Sequence, residues 1–147
     1  MTEDGTITLD RKLVEYLSVS TAYIEEESRK QRLEIERRLR LYRGASPYPN
    51  IENRHVIIVD DGVATGSTIK AALASVHKRR AKSAVTAVPV GPPSTIIELE
   101  KEADRVVCLF TPEPFYAIGQ FYANFTQTTD DEVIRLLKLS RKELKTS

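Results

Sequence analysis

Two adjacent carboxylates, Asp60 and Asp61, follow a run of four apolar residues, Val56 to Val59, and precede a loop of glycines and hydroxyls. The stretch reads HVIIVDDGVATGST from His55 to Thr68. Thr65, Ser67 and Thr68 supply hydroxyl donors, and Gly66 lets the backbone come close to a ligand. An apolar-patterned helix carrying Ile69, Ala72, Leu73 and Val76 opens at once. A helix start leaves several backbone N–H groups unpaired, and its dipole adds partial positive charge. Residues 64–68 therefore describe a phosphate cradle. The carboxylates just upstream would repel that phosphate. They suit neutral hydroxyl donors, such as the vicinal diol of a ribose. A phosphate cradle beside a diol-binding acid pair describes a ribose 5-phosphate site.

The elements that must hold this loop are a strand and a helix. Val56–Val59 is short and rich in β-branching, which predicts a central parallel strand buried on both faces. A loop leaving such a strand for a helix lies at the carboxyl edge of the sheet, where open α/β folds bind ligands. Ala84 to Val90 and Val106 to Phe110 are two further apolar strands. Between them Gly91-Pro-Pro ends one element, and Ser94-Thr95 starts a helix with Glu98 placed for a capping box on Thr95. Alternating strands and helices predict right-handed crossovers and a parallel sheet. After the third strand, Thr111-Pro-Glu-Pro leads into the aromatic segment FYAIGQFYANF, placed to overhang the same edge.

The stretch around Asp60 resembles the signature for 5-phosphoribosyl 1-pyrophosphate (PRPP) in type I phosphoribosyltransferases: four apolar residues, two acids, a spacer, then Thr-Gly-x-Thr. It is neither a Walker A loop, since no Gly-Lys-Ser/Thr follows, nor a GxGxxG loop. Residues from about 20 to 137 also resemble a group of stand-alone bacterial and archaeal members of that family. The shared features are a long charged helix, the strand AVPV before Pro-Pro, the segment CLFTPEPF, and an F-x-Q-T-x-D-x-E-V ending. The resemblance implies an α/β, Rossmann-like three-layer fold around a parallel sheet. It implies PRPP and a nitrogenous base as partners, nucleotide salvage as the setting, and transfer of a 5-phosphoribosyl group between pyrophosphate and the base. In that role Asp60 and Asp61 would bind the ribose hydroxyls and stabilise an oxocarbenium-like ribosyl cation electrostatically. Gly62, Val63 and Ala64 form the spacer, and Thr65, Gly66, Ser67 and Thr68 would hold the 5-phosphate. Mg2+ would ride mainly on pyrophosphate and ribose oxygens, with no direct protein ligand expected. Family members acting on 6-oxopurines carry Asp at position 64; Ala64, and the lack of a lysine after Val85–Val90, disfavour hypoxanthine and guanine. Tyr116, three residues before Gly119, matches the base-stacking aromatic of purine enzymes and reads equally well as packing.

The family's early strand and basic, Gly-rich pyrophosphate loop have no counterpart in Met1 to Tyr48. The fold is therefore expected to be incomplete on its N-terminal side, with an open sheet edge. Either the sequence is a fragment of a longer protein, or a homo-oligomer or a partner chain is expected to cover that edge. The rival reading is a catalytically inactive PRPP- or nucleotide-binding module, or one subunit of a split enzyme.

A chain of 147 residues suits one domain. It divides into a helical N-terminal or hood segment (1–50), an α/β core (51–127) and a C-terminal helix (128–147). Within the first part, Gly5–Leu9 alternates like a strand, and Asp10 caps a short helix. A long helix is expected from about Thr21 to Arg43, with i,i+4 pairs Glu25–Arg29, Glu26–Lys30, Glu34–Arg38 and Glu36–Arg40, ended by Gly44. Its apolar stripe is thin, which marks it as a contact surface for another chain. TDDE at 129–132 is a second capping-box pattern, opening the last helix. A net charge of +1 gives no drive toward nucleic acid or acidic membranes. No apolar stretch is long enough to span a bilayer, and a lone cysteine, Cys108, fits a reducing cytoplasm.

Overall fold

The computed structural model describes residues 7, 9, 11–44 and 49–143. The elements run α1 (Arg11–Tyr16), α2 (Thr21–Arg43), β1 (His55–Val59), α3 (Ser67–Lys78), β2 (Ser83–Val90), α4 (Pro93–Leu99), β3 (Arg105–Phe110), a 3-10 turn (Ile118–Phe121) and α5 (Asp130–Glu143). The expected strand at Gly5–Leu9 and the expected helix cap at Asp10 fall largely outside the described residues.

The three strands form one parallel sheet in the order β1-β2-β3. β1 pairs from His55↔Ser83 to Val59↔Ala87, and β2 pairs with β3 from Val85↔Arg105 to Val90↔Phe110. Each crossover steps the same way across the sheet, so crossovers of one hand place α3 and α4 on one face. There Ile69, Leu73 and Val76 of α3 and Ile96 and Leu99 of α4 close on Ala84 and Val88 of β2, with Val63 from the loop. Leu73 and Leu99 are fully buried. Ile69, Leu73 and Val76 lie at i, i+4 and i+7, one stripe of the helix.

This corrects the reading of Val56–Val59 as a central strand buried on both faces. Among the described residues β1 is an edge strand: Val56 and Ile58 are half-buried toward the helices, while Ile57 is 65% and Val59 73% exposed. Apolar residues on both faces of a parallel strand anticipate cover on both faces. Among the described residues only one face receives it, because both crossover helices lie on the same side.

α2 spans the expected residues and ends at Gly44, in a positive-φ conformation (φ 61°). Its surface carries Glu26–Arg29, Glu26–Lys30, Glu34–Arg37, Glu34–Arg38 and Glu36–Arg40 pairs. Arg29 thus pairs with Glu26 at i,i+3. Ile35, Leu39 and Tyr42 form the half-buried side, and α2 packs on α5. Arg37 Nη1 donates to Asp130 Oδ2 at 2.8 Å, and the Tyr42 hydroxyl donates to the same carboxylate. Thr129 Oγ1 accepts from Glu132 N at 3.3 Å, one half of the expected capping box. The expected box at Thr95 does not form. α4 begins at Pro93 with Pro92 as its N-cap, Glu98 reaches Lys70 Nζ at 2.6 Å, and Thr95 turns to the loop after β1.

Candidate functional site

β1 delivers the chain to the carboxyl edge of the sheet, and the next residues fold around a cavity of about 180 Å³. It is lined by residues 60–69, Asp60 through Ile69, and by Ile118. Every residue expected from the sequence to bind ribose or phosphate, Asp60 through Thr68, lies on this one wall.

Local chemistry explains the loop's course. Val63 N donates to Val90 O at 2.9 Å, anchoring the loop to the end of β2. Thr95 Oγ1 donates to Ala64 O at 2.7 Å, so the buried threonine of α4 holds the loop from below. Gly66 takes a left-handed conformation (φ 78°), which a side chain would strain, and turns the chain into α3. Lys70 N to Gly66 O, 2.8 Å, is the first helical bond. Gly66 provides no side-chain cap. The N–H groups of the first turn therefore have no acceptor within the helix, at the wall of the cavity. Thr65 Oγ1 and Ser67 Oγ lie 3.0 Å apart beside them.

The acid pair is asymmetric. Asp60 is half-buried and Asp61 is exposed. Burial pushes the Asp60 carboxyl above the usual aspartate range; the Asp61 N–H, which donates to Asp60 Oδ1 at 3.0 Å, opposes the rise, and the Asp61 carboxylate adds to it. A carboxylate held at a desolvation cost gains when neutral hydroxyl donors reach it.

The aromatic segment after β3 comes back over the same edge, as its position predicts. The Tyr122 hydroxyl donates to the backbone carbonyl of Asp61. Ile118 sits so close to Gly62 that a Cβ there would meet its Cγ2 at 2.7 Å, which is why glycine occupies that position. Phe121 packs between Phe110 and Phe115, with centroids at 5.8 and 5.2 Å, and Tyr122 stacks on Phe125 at 5.2 Å. Tyr116 is 82% exposed and does not line the cavity; Ile118 is the apolar residue of this segment that does. Ile118 and Tyr122 are site-supporting residues that motif reading did not single out, and Thr95, read there as a helix cap, supports the loop instead. FYAIGQFYANF marked the segment, but only contacts across more than fifty residues select which members touch the loop.

Among the described residues no group of three or more His, Cys, Asp or Glu side chains is placed to hold a metal ion. Asp60 and Asp61 supply hard oxygen donors, which fit a magnesium ion only where ligand oxygens complete its shell. No helix of the described residues is long and apolar enough to cross a membrane.

Comparison with known proteins bears on this geometry directly. The sequence profile of the phosphoribosyl transferase domain matches residues 3–126. Two Mycobacterium tuberculosis proteins, from strains CDC 1551 and H37Rv and both carrying the name "Putative phosphoribosyl transferase", are 40% identical over 141 residues, 96% of this chain. The chain spans 32% of the length of these curated relatives. The crystal structure of TT1426 from Thermus thermophilus superposes with a TM-score of 0.72 at 35% identity, over 93% of this chain and 64% of that one. The profile match over most of the sequence, the relatives and the shared fold agree: the chain belongs to the phosphoribosyl transferase domain family.

Proposed function

We propose that the loop 60–68 binds the ribose 5-phosphate part of PRPP and serves transfer of the 5-phosphoribosyl group to a nitrogenous base. The observation that carries this reading is the convergence of the α3 start, whose N-cap Gly66 offers no side-chain acceptor, and the Asp60–Asp61 pair on one small cavity. Phosphate would take the first-turn N–H groups and the hydroxyls of Thr65, Ser67 and Thr68. The diol would donate to the acid pair. In the reaction the C1–O bond to pyrophosphate breaks, the electron pair leaves with pyrophosphate, and a base nitrogen forms the new bond to C1. The carboxylates stabilise the positive charge developing on the ribosyl ring. Magnesium shared with the ligand would neutralise charge on the departing pyrophosphate. A cavity of about 180 Å³ suits a phosphopentose and leaves base and pyrophosphate outside it.

A second reading, binding without turnover or one part of a divided site, draws on the sheet. Among the described residues its carboxyl edge carries three loops, after β1, β2 and β3, and none is a basic, glycine-rich turn for pyrophosphate.

Calorimetry tests the site. PRPP with magnesium is expected to bind, and Asp60→Asn with Asp61→Asn to weaken binding by about 1–3 kcal/mol through loss of charged hydrogen bonds. Ribose 5-phosphate should bind more tightly than 2-deoxyribose 5-phosphate. Equal affinity for the two sugars would sink the diol role. Turnover of PRPP with a panel of bases then separates the two readings.

A further inference from the structure

The side of α2 opposite Ile35, Leu39 and Tyr42 is left open by the described residues at Leu33, while Arg37 on its flank reaches Asp130 of α5. Leu33, Glu36, Arg37, Arg40 and Leu41 line a groove of about 450 Å³ along that side. Leu33 is 55% and Leu41 41% exposed there. The half-buried side, with Ile35, Leu39 and Tyr42, lies roughly opposite on the helix.

The charges on the open side are ordered about Leu33. Glu26 stands seven residues before it and Arg40 seven after, at heptad spacing along one seam. Lys30 stands three before and Glu36 three after. More broadly the helix is acidic early, at Glu25, Glu26 and Glu27, and basic late, at Arg37, Arg38, Arg40 and Arg43. Such a surface is complementary to itself when reversed. A two-fold axis through Leu33 sets each Glu26 against the other copy's Arg40, and each Lys30 against the other copy's Glu36. A parallel pairing would set like against like. Directly opposite each other across that axis, Arg29 and Arg37 are like-charged, and each is already held within its own chain. Arg29 Nη2 holds Glu26 at 2.9 Å, and Arg37 holds Glu34 and Asp130, each at 2.8 Å. Residues three and four from the axis pack beside the leucine, and the groove next to Leu33 receives the facing leucine as a knob.

We propose that α2 is a self-association surface: a second copy of this chain docks antiparallel on it, with the two-fold axis at Leu33. The contact is isologous, as closed homodimers require. It is small and rimmed by charge, so the dimer is reversible and sensitive to salt. The inference does not rest on the loop at 60–68.

Sedimentation over a concentration series, with the full chain, tests it. The wild type is expected to dimerise, less so at high salt. Leu33→Glu should leave a monomer with unchanged helical circular dichroism. Glu26→Arg and Arg40→Glu alone should each weaken association by about tenfold. Both changes in one chain should restore it, because the antiparallel pair re-forms with its charges exchanged. A wild-type monomer throughout, a double variant no better than the singles, or a dimer that survives Leu33→Glu would each overturn the proposal. Cross-linking gives a second readout in a Cys108→Ser background. Leu33→Cys should form a disulfide-linked dimer under mild oxidation. Tyr23→Cys should not, since ten residues from the axis places the two thiols about 30 Å apart. Efficient linkage at position 23, or none at 33, would count against the axis.

Discussion

Asp60 shows how a single side chain records the purpose of its surroundings. Burial raises its proton affinity, and the neighbouring Asp61 carboxylate adds to the rise. The folded state therefore holds the Asp60 proton more tightly than the unfolded chain does. Linkage gives the sign: stability falls as pH rises from the unfolded aspartate value, about 3.9, through the higher folded one. Asp60→Asn removes the ionisation and keeps an acceptor for the Asp61 N–H. Denaturant titrations at several pH values should show the variant gaining on the wild type as pH rises from below 4 to 7. A wild type that gains on the variant over that range would contradict the assignment. Diol binding should weaken as pH falls through the same raised pKa, because the protonated acid accepts fewer hydrogen bonds. Thr95 was not legible as a loop anchor at this scale. Its spacing to Glu98 is a valid capping-box pattern, but the carbonyl of Ala64 and the ammonium of Lys70 compete for those groups and win, at 2.7 and 2.6 Å.

At the scale of elements, α5 is tied to α2 through one carboxylate. Asp130 opens α5 and accepts from both Tyr42 and Arg37, and these bonds lower its pKa, the Tyr42 bond most. A depressed aspartate contributes stability that is present above the unfolded value and lost as pH falls through the folded one. Asp130→Asn weakens the bond to the guanidinium and removes the negative charge from the helix start. Hydrogen exchange of residues 130–143 should be faster in the variant at pH 7. The two proteins should converge as pH falls below 3.8, the ordinary aspartate value. Exchange confined to residues outside α5, or a difference that persists in strong acid, would argue against this latch. The long helix itself was plain from the sequence, since its charge spacing is local. Its partner was not, because Arg37–Asp130 spans the length of the core.

At the scale of the whole molecule, the described residues cover one face of the sheet and leave the other open. Leu73, fully buried beneath the covered face, should cost about 2–5 kcal/mol when cut to alanine. Ile57, on the open face of an edge strand, should change stability by no more than about 0.5 kcal/mol when replaced by threonine. Thermal or denaturant unfolding of the two variants checks the contrast. A large loss at Ile57 would mean that its face is covered in solution.

Sequence alone determined the elements and the loop, because strand, acid pair, glycine and helix start are contiguous and their chemistry is local. From this much, β1, α3, the parallel order and residues 60–68 could all be placed. Which face of β1 is covered, which end of the aromatic segment meets Asp61, and which helix side stays free were decided only by tertiary structure. Each depends on distant groups competing for one partner. Val56–Val59 carries apolar residues on both faces whether the strand is central or at an edge. Only the side on which α3 and α4 cross settles which of those residues leaves water.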